Sequence, residues 1–346
     1  MMKQTQLGNS DLTVSDLALG TMTFGVETPA AEAMRQLEMF VTAGGTLVDT
    51  ADVYGSGASE QIIGDWLARG RPDGLVLATK GRFGRGEAAG ASRVALRAAV
   101  RASLARLRID TIDLYYVHGW DESVPVAETV GVLAELVDDG VIRHVGWSNT
   151  TGWQLQRIVD AAGDGPARPI VFQPQYNLLD RVIEWEIVPA CLANGLGIAP
   201  WSPLGGGWLT GKYSRTERPT GATRLGDNPA RGVEAYDGRN VDRTWRILDV
   251  VTDIARAHDA LPGHVAIAWL LSRPHVTSVL LGARTVAQLE QNLESSDMAL
   301  TDGEIERLTS VSAPGLPQYP YGMIERFSGI SLWREMGTTT SPPTGS

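Results

Sequence analysis

Short apolar, β-branched runs open near Leu17, Thr46, Leu75, Ile112, Ile142, Ile170 and Leu196, about one every 30 residues, and an eighth opens near Thr277 after a long gap. That interval is what one strand, one loop and one crossover helix occupy. The intervening stretches Ala30–Ala43, Ser92–Leu107, Val124–Val137, Trp153–Ala161 and Val182–Ala193 carry apolar residues at three- and four-residue spacing, as helices do. Gly44-Gly45, Gly140 and Gly195 follow such stretches, where a left-handed terminal residue is wanted. Strands alternating with helices predict a parallel sheet with right-handed crossovers. Eight repeats suit an α/β fold closed as a (β/α)8 TIM barrel better than an open sheet.

Ahead of the first repeat, alternation around the turn residues Gly8-Asn9-Ser10-Asp11 predicts an N-terminal β-hairpin. The long gap lies after strand 7. It holds a glycine-rich loop, a polar stretch at Ser214–Asn240, and helical patterns at Val241–His258 and His264–Leu271. A loop of that length inside a compact domain is usually a functional lid or disorder. Val286–Leu293 predicts a closing helix. The pattern as a whole predicts one domain over residues 1–335 and a mobile tail at 336–346, where Gly, Thr, Ser and Pro dominate.

Composition narrows the partners. The net charge of -10 opposes nucleic acid or an anionic membrane as a partner, so an anionic ligand needs a local cluster of cations or backbone N–H groups. The single cysteine, Cys191, forms no disulfide within the chain, which fits a reducing compartment. The first residues lack the apolar core of a signal peptide, and no apolar run approaches membrane-spanning length. The expectation is a cytoplasmic protein acting on a small molecule, alone or as an oligomer. The five histidines and one cysteine show no metal-ligand spacing.

In such a barrel chemistry sits at the carboxyl ends of the strands. The second strand ends at Asp49, with Tyr54 just beyond; the third ends at Lys80; the fourth ends at His118. Each residue alone reads as an ordinary cap, a solvated lysine or a structural histidine. Together on successive strand ends they read as a proton-transfer device. A lysine ammonium favours a phenolate and lowers a tyrosine's pKa, a carboxylate orients the lysine, and a neutral imidazole can hold a carbonyl oxygen. No nucleophile is paired with a base, so a hydrolase is disfavoured.

A second signal concerns phosphate. Residues 206–212 mimic the start of a P-loop, but Tyr213 stands where the magnesium-binding hydroxyl belongs, and the loop follows strand 7. Glycine amides plus Lys212 suit a diphosphate without a metal. Gly282-Ala283-Arg284 follows strand 8 at the start of a helix, a common phosphate site in barrels. Trp120 and Trp208 lie just past strand ends and could line a substrate mouth, joined by Phe24 and Trp333.

These residues resemble the aldo-keto reductase family, from about Gln6 to Leu308. The resemblance is carried by residues 19–25, Val48-Asp49-Thr50-Ala51 with Tyr54-Gly55 and Ser59-Glu60, residues 113–118, Gly146-Trp147-Ser148-Asn149, Gln173 with Tyr176-Asn177-Leu178, and Trp201-Ser202-Pro203-Leu204. The details resemble the branch holding bacterial reductases and potassium-channel beta subunits. The family implies an NADPH-dependent reduction of an aldehyde or ketone, sugar-derived carbonyls included. Tyr54 would be the general acid, Lys80 would lower its pKa, Asp49 would pair with Lys80, and His118 would orient the carbonyl. Ser148, Asn149 and Gln173 would hold the carboxamide, and Trp201 would stack on the nicotinamide. Gly20, Thr21 and Met22 would pass the cofactor through their backbone, with Asp49 close by. Ser202, Leu204, Gly205, Gly207 and Lys212 would surround the diphosphate. Arg284, after Gly282, would face the 2′-phosphate, with Gln288 and Asn292 near the adenosine. Phe24, Tyr54, His118 and Trp120 would contact substrate. Two positions depart from the family: Gly119-Trp120 follows His118 where a polar residue is common, and Gln291 replaces a frequent Glu. The four catalytic positions serve equally a working reductase and a redox-sensing regulatory subunit that binds cofactor with little turnover. An unrelated aldolase would instead use Lys80 for a Schiff base.

Overall fold

The structure, a computed structural model, describes residues 2–221, 223–227 and 232–328. Trp333 and the expected tail at 336–346 lie outside the described residues. Two compact units emerge: residues 1–174, 186–201 and 276–296 form one, and 175–185, 202–275 and 297 onward form the other.

The first unit opens with an antiparallel hairpin, β1 (Gln4–Gln6) and β2 (Thr13–Ser15). Gly8 in its turn has φ +60°, and a Cβ there would lie 2.3 Å from the Ile170 carbonyl oxygen, so only glycine fits. Eight parallel strands follow: β3 (Leu17–Gly20), β4 (Leu47–Asp49), β5 (Val76–Gly81), β6 (Ile112–Val117), β7 (Ile142–Ser148), β8 (Pro169–Gln173), β9 (Gly197–Ile198) and β10 (Val279–Gly282). They pair in chain order, with β10 beside β3. Closure comes from β9. Ile198 bridges Val276, Thr277 N donates to Ile198 O at 2.8 Å, and Leu280 N donates to Pro200 O at 3.0 Å. This is the expected (β/α)8 arrangement.

The strands are buried almost throughout, because helices cover one face and the barrel interior fills the other. Alternate residues point inward. Ala18, Leu47, Ala78, Leu114, Tyr116, Val171, Ala199 and Leu280 form that interior with hairpin residues Leu7 and Val14. Around the sheet lie α1 (Ala30–Thr42), α2 (Ala58–Leu67), α3 (Arg93–Leu107), α4 (Val126–Asp138), α5 (Gly152–Ala162) and α6 (Ile187–Asn194). Gly44, Gly140 and Gly195 adopt positive φ behind α1, α4 and α6, as their positions predict. The single helix expected over Val182–Ala193 is two pieces, a 3-10 turn at Val182–Trp185 and α6. Glu186 leaves helical geometry, and Pro189 then sits in the first turn of α6, where its missing N–H costs nothing.

The second unit holds two one-turn helices, α7 (Arg224–Asp227) and α8 (Tyr236–Arg239), and the longer α9 (Asp242–Ala257) and α10 (Pro262–Leu271). Helix α11 (Val286–Leu293) belongs to the first unit, and α12 (Asp302–Ser312) to the second. Among the described residues no helix is long and apolar enough to cross a membrane.

Candidate active site

Asp49, Lys80 and His118 reach one rim for a simple geometric reason. Ala78 and Tyr116 point into the barrel, so Lys80 and His118, two residues further along β5 and just past β6, point the same way at the carboxyl end. His118 N donates to Gly81 O at 2.9 Å, which holds the imidazole beside the end of β5. Asp49 ends β4, in register with Ala78. Tyr54 opens a tight turn in which Gly55 and Ser56 take positive φ, and this brings the phenol back over the rim.

The Lys80 Nζ is the hub. It donates to Asp49 Oδ1, to Thr50 O at 2.8 Å and to Tyr54 Oη at 3.3 Å. Lys80 is 0% exposed and Asp49 2%. Gln173 Nε2 donates to the other Asp49 oxygen at 2.8 Å. Burial alone would discharge the lysine, but Asp49 and Tyr54 hold its pKa above the usual 10.5. Lys80 lowers the Tyr54 pKa, as the resemblance implies, against an opposing pull. Burial raises its phenol above the usual 10, and the lowering by Lys80 is the smaller effect. The phenol therefore keeps its proton at neutral pH.

His118 stacks edge-on to Tyr54, ring centres 6.0 Å apart, and packs on Phe83 at 4.9 Å. Its Nδ1 is buried without a hydrogen-bond partner. Burial, then the charges of Lys80 and Arg82, depress its pKa to about 3, so the ring is neutral at ordinary pH. Beside it lies a cavity of about 550 Å³ lined by Arg82, Phe83, Trp120, Asp121, Ser123 and Asn149, among others. Trp120 meets Trp153 edge to face at 5.8 Å. Phe24 is fully buried and is not among the lining residues. Trp208 corrects an expectation. It is buried in the second unit, stacked on Tyr236 at 5.5 Å, with Nε1 donating to Glu234 O at 2.9 Å. A large indole with its one donor satisfied is a core residue, not a wall.

The residues expected to hold a carboxamide are bonded to their neighbours. Ser148 Oγ donates to Gln173 O at 2.7 Å, and Asn149, at φ +53°, donates its Nδ2 to His118 O at 2.8 Å. Trp201 N donates to Pro174 O at 2.9 Å, and its half-buried ring packs on the barrel interior. Gly20 pairs with Gly282, Thr21 N and Oγ1 donate to Asp49 O, and Met22 is 40% exposed.

In the second unit Ser202 and then Gly205, Gly206 and Gly207 take positive φ. The amides of Gly205 and Gly207 are committed to Ser202 O and Leu204 O, so they are less open than glycine content suggests. A Cβ on Gly206 would lie 2.3 Å from a Glu234 oxygen, and one on Gly207 2.5 Å from Lys212 Nζ. An acid and a base thus crowd the same turn. At the end of β10, Arg284 Nε donates to Glu27 Oε2 at 2.9 Å, Gln288 accepts from Arg284 N at 2.9 Å, and Asn292 donates to Gly282 O at 3.3 Å.

Sequence reasoning missed several partners. The Thr50 carbonyl and Gln173's bond to Asp49 are main-chain and long-range effects with no local signature. Behind the rim, Glu60 accepts from Thr79 at 2.6 Å and from Arg106 at 2.7 Å. Burial and the Glu60 carboxylate push the neighbouring Asp52 up to about 7. Among the described residues no group of three or more His, Cys, Asp or Glu is placed to hold a metal.

The profile of the aldo/keto reductase family matches residues 16–313. The chain is 33% identical over 331 residues to the oxidoreductase YrpG of Bacillus subtilis, covering 91% of this chain and 97% of that one. It is 34% identical over 313 residues to the norsolorinic acid reductase stcV of Emericella nidulans, covering 84% and 76%. It is 33% identical over 326 residues to a probable voltage-gated potassium channel subunit beta of Oryza sativa, covering 90% and 96%.

Proposed function

We propose that this chain, which belongs to the aldo/keto reductase family, reduces an aldehyde or ketone to an alcohol with NADPH, using Tyr54 as the proton donor. The observation that carries this reading is the single buried ammonium touching both the Asp49 carboxylate and the Tyr54 hydroxyl. When bound, the nicotinamide supplies a hydride to the carbonyl carbon, and everything else falls to the protein. Tyr54 hands its proton to the carbonyl oxygen. The phenolate left behind is stabilised by Lys80, whose charge is fixed by Asp49. Because Tyr54 holds its proton in the resting site, the lysine acts mainly on charge that develops during transfer. Neutral His118 donates a hydrogen bond that orients the carbonyl.

Each unit, taken by itself, carries features that suit such a cofactor. Two cations, Lys212 and Arg284, each follow a glycine-bearing turn, and successive left-handed glycines leave no side chain at Gly205–Gly207. We assign Ser148, Asn149 and Gln173 to the carboxamide, Trp201 to the nicotinamide face, Gly20, Thr21 and Met22 to backbone contacts, and Gln288 and Asn292 to the adenosine. Ser202, Leu204, Gly205, Gly207 and Lys212 take the diphosphate, and Arg284 takes the 2′-phosphate. Trp120, Tyr54 and His118 face the substrate, a small carbonyl compound.

Loss of NADPH absorbance across a panel of aldehydes and ketones tests the reaction. Tyr54→Phe is expected to lower kcat by roughly 10²–10⁴ while NADPH binding by fluorescence titration stays near that of the unaltered protein. Equal loss of both would reject the role. Similarity to a protein named as a channel beta subunit supports a second reading, a cofactor-binding redox sensor. That reading predicts one round of cofactor oxidation without steady turnover.

A further inference from the structure

Two carboxylates stand in the corner where the assignment above puts a phosphate. Glu27, in the loop between β3 and α1, accepts from Arg284 Nε at 2.9 Å. Glu32, on α1, accepts from Val286 N at 2.6 Å, at the first residue of α11. Hydroxyls strap the same loop to the chain beyond β10. Thr23 Oγ1 donates to Ala283 O at 2.9 Å and Thr28 Oγ1 to Arg284 O at 3.1 Å. The Arg284 guanidinium and the start of α11 therefore already face negative charge. The Arg284 and Glu27 side chains are 21% and 20% exposed, so the pair lies near the surface although Arg284 Nη2 itself is buried.

The chemistry of that corner is double. A phosphate ester carries about -1.5 to -2 charges and draws a guanidinium more strongly than a carboxylate does, yet it must approach Glu27 against like charge. A ribose 2′-hydroxyl offers a donor, which a carboxylate accepts well. Arg284 thus suits a nucleotide bearing a 2′-phosphate, and Glu27 suits one without it.

We propose that Glu27 is a cofactor-selectivity residue, opposing the preference for NADPH over NADH that Arg284 creates. The proposal rests on the cofactor assignment made above. It makes the protein a binder of both nucleotides, with discrimination set by the balance of one cation and one carboxylate 2.9 Å apart.

The test is a fluorescence titration of the full chain with NADPH and with NADH, for the unaltered protein and for Glu27→Gln and Glu27→Asp. Glutamine keeps the size and removes the charge. Glu27→Gln is expected to tighten NADPH roughly two- to fivefold, the scale of a partly exposed ion pair, and to leave NADH unchanged or weaker. Glu27→Asp keeps the charge and should keep the NADPH-to-NADH ratio within about twofold of the unaltered protein. Adenosine 2′,5′-bisphosphate, which carries the phosphate but no nicotinamide, should gain the same factor in Glu27→Gln, and 5′-AMP should gain none. An unchanged ratio in Glu27→Gln, with both nucleotides still bound, overturns the role of Glu27 and leaves the cofactor assignment standing. Binding of neither nucleotide by the unaltered protein overturns the cofactor assignment and this proposal with it.

Discussion

The end of β5 and the end of β10 each lead to a cation held by a carboxylate from another part of the chain, yet the two pairs are different devices. Lys80 and Asp49 are sealed from water, and Thr50 O, Tyr54 and Gln173 satisfy their remaining groups. Arg284 and Glu27 are each about one fifth exposed, and their contact joins two long side chains near the surface. Burial makes the first pair hard to separate, since each charge would be stranded without water. Exposure makes the second exchangeable, since water and ligand anions can replace either partner. A proton donor needs a fixed neighbour, whereas a nucleotide-binding corner needs a charge that can change partners.

The sharpest way to break this contrast is to remove the buried cation. Lys80→Met should cost about 3–5 kcal/mol of stability, because the buried Asp49 carboxyl loses the cation that compensates it; urea denaturation measures it. Lys80→Met together with Asp49→Leu should recover much of that loss while activity stays absent. A cost below about 1 kcal/mol for the single change would mean that the buried pair behaves like a surface pair.

The next effect is pH-dependent. His118 has a folded pKa of about 3, below its ordinary 6.5. Above pH 6.5 neither folded nor unfolded chain protonates this ring, and the burial carries no pH-linked penalty. Between pH 6.5 and about 3 the unfolded chain binds the proton and the folded chain does not, so stability falls as pH falls. The slope is about 1.4 kcal/mol per pH unit at most. His118→Gln should lack this component. The difference between the two proteins is the quantity to measure, because His275, depressed to about 4, and Asp52, raised to about 7, titrate in both. Parallel stability curves would show that the imidazole is not sequestered.

The smallest effect belongs to the exchangeable pair. Arg284→Ala should weaken NADPH about tenfold, far more than NADH. Raising salt from 0.05 to 0.5 M, concentrations chosen so that the screening length falls to about 4 Å, should shrink that difference while leaving the Lys80→Met cost nearly unchanged. An equal loss for both nucleotides would remove the 2′-phosphate from this corner.

Much of the architecture was readable because a parallel barrel repeats a strong local signal. Each strand begins within a few residues of an apolar, β-branched run, since both of its faces are buried. Helix α2 escaped notice because most of it is buried, including the polar or small residues Ser59, Glu60 and Gly64, and only Gln61 and Asp65 mark an exposed face. Helix α12 did carry a local signal, the capping box of Thr301 and Glu304, in which each backbone N–H is met by the other's side chain. Trp208 was misplaced because position after a strand says nothing about which way a ring turns.

By itself the sequence determined the strand count, the parallel topology, and which residues stand at successive strand ends, because those follow from period and parity along the chain. Only the tertiary structure decided how charge is shared among them. Tyr54's pKa depends on burial outweighing Lys80, Asp49 has a second partner in Gln173, and Arg284 meets a carboxylate 257 residues away. Electrostatic energies depend on distance and on the exclusion of water, and neither is a property of sequence spacing.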